Sequence, residues 1–130
     1  MIRHVAVGYD FSEHADDALG WAVDLARAVK ATVSLIHVVD AREDDPAVQE
    51  LRVRLARVAD EVGPEVSSHV VCAERVADGL VEHAERYAFD LIVVATRGLS
   101  GVERLILGSV ADAVIRRARV PVVTVRYDDD

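Results

Sequence analysis

The chain has a single cysteine, a single lysine, three prolines, and an aromatic complement of three Tyr, two Phe and one Trp in 130 residues. One cysteine, Cys72, excludes an intramolecular disulfide framework and suits a reducing compartment. It lies in a strand-like run, where a packed thiol is expected. No apolar run approaches the roughly 20 residues that cross a bilayer. Met1-Ile2-Arg3 leads straight into a strand without a signal-peptide pattern, so a cytoplasmic location with no membrane partner is expected. A basic stripe is missing too. The net charge is −8, which argues against nucleic acid as a partner, and Arg116, Arg117 and Arg119, the one basic cluster, suit the end of a helix.

Familiar catalytic patterns are also absent. His4, His14, His37, His69 and His83 are scattered, with no nucleophile elbow. No His, Cys or carboxylate cluster has metal-ligand spacing, so no metal site made of protein groups is expected. A phospho-receiver domain needs an aspartate at the end of its third strand, where Cys72-Ala73-Glu74 stands instead.

What remains is 52% hydrophobic and 29% charged, enough for one domain over 1–130 with a sizeable core. Residues 4–8 read as a first strand, broken at Gly8-Tyr9-Asp10-Phe11-Ser12-Glu13. Asp10 and Glu13 have capping-box spacing. The helix that follows places Ala15, Ala18, Leu19, Ala22, Leu25, Ala26 and Val29 on one side. Residues 32–39 are nearly all apolar, as in an internal strand, with His37 as a packed residue. An acidic loop over 41–46 precedes a helix over 47–62, which stops at Gly63-Pro64. That helix turns Val48, Leu51, Leu55, Val58, Ala59 and Val62 inward and Arg52, Arg54 and Arg57 outward. Ser67, Ser68 and His69 interrupt the third strand, 66–73, and mark it as an edge. A helix over 76–87 buries Ala77, Leu80, Val81 and Ala84 and leaves Glu82, His83, Glu85 and Arg86 wet.

The stretch over 90–110 carries the functional signal. Residues 91–94 form a short apolar run, read as a fourth strand. Ala95-Thr96-Arg97-Gly98 then reads as a sharp turn exposing N–H groups. Gly108-Ser109-Val110 opens a helix over 109–118, whose first amides lack partners and carry partial positive charge. Two such turns side by side make a phosphate cradle. A structural reading stands beside this one: Gly98 and Gly101 shape a strand-to-helix connection, and Ser109 with Asp112 forms a capping box. Pro121 introduces a fifth strand over 122–126, and Tyr127-Asp128-Asp129-Asp130 reads as a solvated tail.

Five strands alternating with four helices specify a doubly wound parallel α/β sheet with helices on both faces and right-handed crossovers. With the third strand at an edge, the order 3-2-1-4-5 follows. The winding then reverses between the first and fourth strands, where such sheets bind ligands at the carboxyl ends of their strands.

Gly98, the nine residues 99–107 and Gly108-Ser109 resemble the second half of a signature of the universal stress protein family: Gly, two residues, Gly, nine residues, Gly, then Ser or Thr. Ala95 stands in place of its first glycine, and the likeness runs over 5–125. The resemblance implies a Rossmann-like fold and a stress or regulatory module that responds to ATP or another adenine nucleotide, with Mg²⁺ on the phosphates. It places the nucleotide against Gly8, Tyr9, Asp10, Val38, Val94, Ala95, Arg97, Gly98, Gly108, Ser109 and Val110. Asp10 is to meet the ribose, Val38 the adenine, and Arg97 the phosphates. The family's glycine lets backbone approach the ribose and phosphates. A methyl at Ala95 therefore leaves a second expectation, a dimeric interaction module that binds no nucleotide. No catalytic residue is expected, and at most slow ATP hydrolysis. The apolar edge strand over 122–126 needs a cover, and pairing as a homodimer supplies one.

Overall fold

The structure is a computed structural model that describes residues 1–97 and 108–127. Strands and helices alternate along it: β1 (His4–Gly8), α1 (Glu13–Val29), β2 (Thr32–Val39), α2 (Pro46–Val62), β3 (Val66–Cys72), α3 (Val76–Arg86), β4 (Leu91–Arg97), α4 (Ser109–Arg117) and β5 (Val122–Tyr127). All strand pairs are parallel, in the order β3-β2-β1-β4-β5. This is the order the patterning predicts, with the polar strand β3 at one edge and β5 at the other.

The central strand shows why continuous apolar runs are needed. Val5, Ala6 and Val7 are fully buried because successive side chains enter different layers. Val5 and Val7 join the cluster beneath α1 and α2, with Leu35, Leu55 and Val93. Ala6 joins the opposite cluster with Leu80, Ile92 and Val114. Asp90 ties the sheet at its base, since its Oδ2 accepts from the N–H groups of Arg3 (2.8 Å) and His4 (3.0 Å).

Several local expectations are corrected. Ser12, not Asp10, caps α1: its Oγ accepts from the Ala15 N–H at 3.1 Å. Asp10 stands two residues too early and folds back on Ser12 instead, taking its N–H at 3.0 Å. On the inner face of α1 Val23 is buried, whereas Val29 is 41% exposed next to the left-handed C-cap at Lys30. Helix α2 starts at Pro46, one residue early, because Asp45 caps the Ala47 N–H. Strand β4 continues through Ala95, Thr96 and Arg97, which pair with Val125, Arg126 and Tyr127. The expected turn at 95–97 is thus strand, held by the β5 ladder. Tyr127 belongs to β5 and stacks on His14 at 3.4 Å. Ser109 is the first residue inside α4, with Gly108 as a cap that has no side chain, so the Ser109–Asp112 box does not form. Asp112 pairs with Arg116 at 2.9 Å, and Arg117 binds Asp78 of α3. Gly98 and Gly101 lie outside the described residues.

Candidate functional site

In a parallel sheet every strand aims its carboxyl end at the same rim, and every following helix begins there. Here β2 and β3 wind one way from β1, and β4 and β5 the other. The adjoining loops diverge and leave a crevice. Its volume is about 170 Å³. Gly8, Tyr9 and Asp10 enter it from the end of β1, Val38 from β2, Val94 and Ala95 from β4, and Val110 from α4. Residues far apart in sequence are thus brought together as expected. Gly108 and Ser109 begin the helix that carries Val110, and Arg97 ends β4 two residues beyond Ala95.

The walls are apolar. Val38 and Val94 are nearly buried, while Val76 and Val110 at the mouth are 44% and 38% exposed. Val76, Leu80, Ile36 and His37 were not anticipated as lining. The signal for Val76 lies in the fold itself, since the first turn of any helix in such a sheet opens on the ligand rim. Two glycines set the spacing. A Cβ on Gly8 would meet Leu80 Cδ2 at 2.9 Å and Val94 Cγ1 at 3.3 Å. One on Gly79 would meet Val38 Cγ1 at 2.7 Å and Ala73 Cβ at 3.0 Å, so this glycine lets α3 press against the Val38 wall.

The polar groups differ in availability. Tyr9 contributes backbone: its phenol donates to Asp16 at 2.5 Å, and burial, followed by that bond, holds its pKa well above the usual value. Asp10 is exposed and spends Oδ1 on the Ser12 N–H and hydroxyl, leaving Oδ2 without a partner among the described residues. The first bond of α4 runs from the Asp112 N–H to the Gly108 carbonyl, and no side chain among the described residues caps the helix. A Cβ at Gly108 would meet nothing within 4 Å, and its φ of −60° suits any residue. Neither packing nor conformation demands glycine there; approach of a ligand to the helix end would.

Thr96 Oγ1, on the same side of β4 as Val94, is buried and has no hydrogen-bond partner among the described residues. An unsatisfied buried hydroxyl costs about 1–3 kcal/mol. Apolar walls, a free carboxylate oxygen and an open helix N-terminus fit a flat heterocycle linked to a hydroxylated, anionic group. Among the described residues no group of three or more His, Cys, Asp or Glu can hold a metal.

A larger groove of about 640 Å³ follows the β3 edge between Arg52 and Glu43 on one side and Glu82 and Arg86 on the other. It meets α3 along its middle and last turn, so no helix N-terminus opens on it, and its charges have both signs. Size alone does not outweigh the convergence at the winding reversal.

Comparison with known proteins identifies the family and the fold. The profile described as "Universal stress protein family" matches residues 1–126. Universal stress protein MJ0531 of Methanocaldococcus jannaschii is 32% identical, the match covering 97% of this chain and 83% of that protein. A universal stress protein solved in complex with cAMP superposes with a TM-score of 0.78 at 26% identity, over 95% of this chain and 96% of that one. The universal stress protein from Archaeoglobus fulgidus in complex with dAMP shares the fold at 22% identity, with a TM-score of 0.70, 95% of this chain and 97% of that one. With the sheet order, the crevice and a match over nearly its whole length, the chain belongs to the universal stress protein family.

Proposed function

We propose that this protein binds an adenine nucleotide in the β1/β4 crevice and works as a nucleotide-responsive stress or regulatory module. The observation that carries this reading is the uncapped N-terminus of α4 beside an apolar slot, with open space at Gly108. Val38, Val76, Val94 and Val110 would enclose the purine, and Asp10 Oδ2 would accept from ribose hydroxyls. The amides of Ser109 and Val110 would face phosphate, as helix N-termini do. Asp112, the acid in that first turn, is neutralised by Arg116 and does not oppose an anion. ATP is the expected ligand. Mg²⁺ would be held by phosphate oxygens rather than by a protein cage and would neutralise their charge. The family resemblance assigns Arg97 and Gly98 to the phosphate end as well, and Gly98 lies outside the described residues. Neither a nucleophile nor a general base is assigned, so binding biases conformation, with at most slow ATP hydrolysis. The proposed setting is the cytoplasm.

The β5 edge fits pairing with a second copy across 122–126. Its residues Val122 to Val125 are each only half-buried although three are valines. Val123→Lys is expected to give a monomer in sedimentation at micromolar concentration; a wild-type protein that is itself monomeric there refutes the pairing.

A second reading has its own observation. Ala95 lines the crevice, and its methyl occupies space that a glycine would leave open. On that reading the protein is a dimeric interaction module without nucleotide. Equilibrium binding of labelled ATP with Mg²⁺ decides between them. The nucleotide reading predicts saturable binding, tightened in Ala95→Gly. No binding by either form leaves the interaction module.

A further inference from the structure

We infer that His37 is a positioning residue for the nucleotide site: through the Tyr9 carbonyl it aims the Asp10 N–H and carboxylate into the crevice between β1 and β4. The inference rests on the nucleotide reading for its function and on the loop itself for its geometry. His37 Nδ1 lies 2.9 Å from the Tyr9 carbonyl oxygen. A carbonyl only accepts, so Nδ1 carries the proton in this contact. The Tyr9 N–H meanwhile donates to the Ile36 carbonyl at 2.9 Å. Both backbone groups of Tyr9 therefore point toward β2.

The next peptide plane is fixed as a result. In a planar trans peptide the N–H lies opposite the C=O. With the Tyr9 carbonyl held by His37, the Asp10 N–H points away from it; this N–H has no partner among the described residues, and Asp10 itself lines the crevice. Without His37 the carbonyl would lose its partner and the plane could rotate, taking the Asp10 N–H and side chain with it.

The residue after Asp10 reinforces the arrangement. Phe11 has a φ of 67°, a left-handed conformation that a bulky side chain rarely adopts. Its ring is fixed between neighbours: edge-on to Tyr9 at 5.3 Å, against the His37 ring at 5.0 Å, and beneath the Arg54 guanidinium at 4.0 Å. His37 thus holds both ends of the three-residue turn, Tyr9 by hydrogen bond and Phe11 by ring contact. The Ser12 bonds to Asp10 Oδ1 fix the remaining freedom and leave Oδ2 toward the ligand.

The test compares His37→Asn, whose amide N–H can reach the same carbonyl, with His37→Leu, which cannot donate. Calorimetric titration with ATP and Mg²⁺ is expected to show affinity about five- to tenfold weaker in His37→Leu, as for one lost hydrogen bond, and within about threefold of wild type in His37→Asn. Amide chemical shifts of Asp10 and Ser12 without ligand are expected to move in the Leu variant and stay in place in the Asn variant. Wild-type affinity and unmoved shifts in His37→Leu would overturn the assignment. So would an Asn variant as impaired as Leu, since the ring and not the donor would then matter. If wild-type protein binds no ATP, the nucleotide reading fails, and the Asp10 and Ser12 shifts alone decide whether His37 sets the turn.

Discussion

Replacing Gly79 with alanine sets two effects of similar size against each other. In a helix interior the exchange gains about 0.8–1.0 kcal/mol from backbone propensity. At Gly79 the new Cβ would lie 2.7 Å from Val38 Cγ1 and 3.0 Å from Ala73 Cβ, distances at which something must move. Ala73 has no side-chain torsion to yield with, so Val38 or the whole of α3 shifts. Overpacking of this kind costs about 1–3 kcal/mol. The expected sum is a loss of about 0–2 kcal/mol. Gly20, exposed in the middle of α1, is the internal control, since a Cβ there meets nothing within 4 Å. Gly20→Ala should keep the propensity gain, raising stability by about 0.5–1 kcal/mol. Urea denaturation of the two variants should therefore separate them by about 1–3 kcal/mol, or several degrees in Tm. Because Val38 is a wall of the crevice, Gly79→Ala should also weaken nucleotide binding while Gly20→Ala leaves it alone. Equal stabilisation by both substitutions would refute the close α3–β2 contact and the role given to Gly79.

Two further predictions concern pH and the base of the sheet. His69 and His83 face each other between β3 and α3, with ring centroids 5.2 Å apart. Burial lowers both pKa values, and the charges of His69 and Arg86 lower His83 further. The unfolded chain then takes up protons first as pH falls below 6.5. Stability is full above that value and erodes as pH falls through it. Denaturation at pH 7.5 and 5.5 should show the loss, and a His69→Gln/His83→Gln pair should remove most of it; an unchanged slope contradicts the assignment. Asp90→Ala should cost about 0.5–1.5 kcal/mol in the same assay, since the exposed N–H groups of Arg3 and His4 can turn to water. Those two backbone bonds lower the Asp90 pKa, so its contribution is present above 3.8 and is lost as pH falls through the folded value. An Asp90→Ala variant as stable as wild type at pH 7 would exclude the tie.

The sheet was readable from sequence because its period and its punctuation agree. The apolar run of Thr32–Val39 must be covered on both faces, while Ser67, Ser68 and His69 mark an edge; with right-handed crossovers in a doubly wound sheet, these point to the observed order. Caps were harder. Asp10, Ser12 and Glu13 all suit a helix start, and the choice fell to Ser12 through the left-handed Phe11, which no pattern announces. The end of β4 was misplaced because Ala95 and Arg97 carry no apolar strand signal of their own, and the segment is held in β4 by pairing with β5. In the site, Gly8, Asp10, Val38 and Ala95 follow from winding and resemblance. Gly79 and His37 act across elements, through a helix-to-strand contact and a side-chain bond to a neighbouring strand, and neither leaves a local signature.

The most direct measurement is a backbone NMR titration of the wild-type protein with ATP and Mg²⁺. The account predicts saturable shifts concentrated at Gly8 to Asp10, His37 and Val38, Val76, Val94 to Thr96 and Gly108 to Val110, all on one rim of the sheet. No shifts at millimolar ATP, or shifts confined to the groove between Arg52, His69 and Arg86 on the β3 edge, would contradict it.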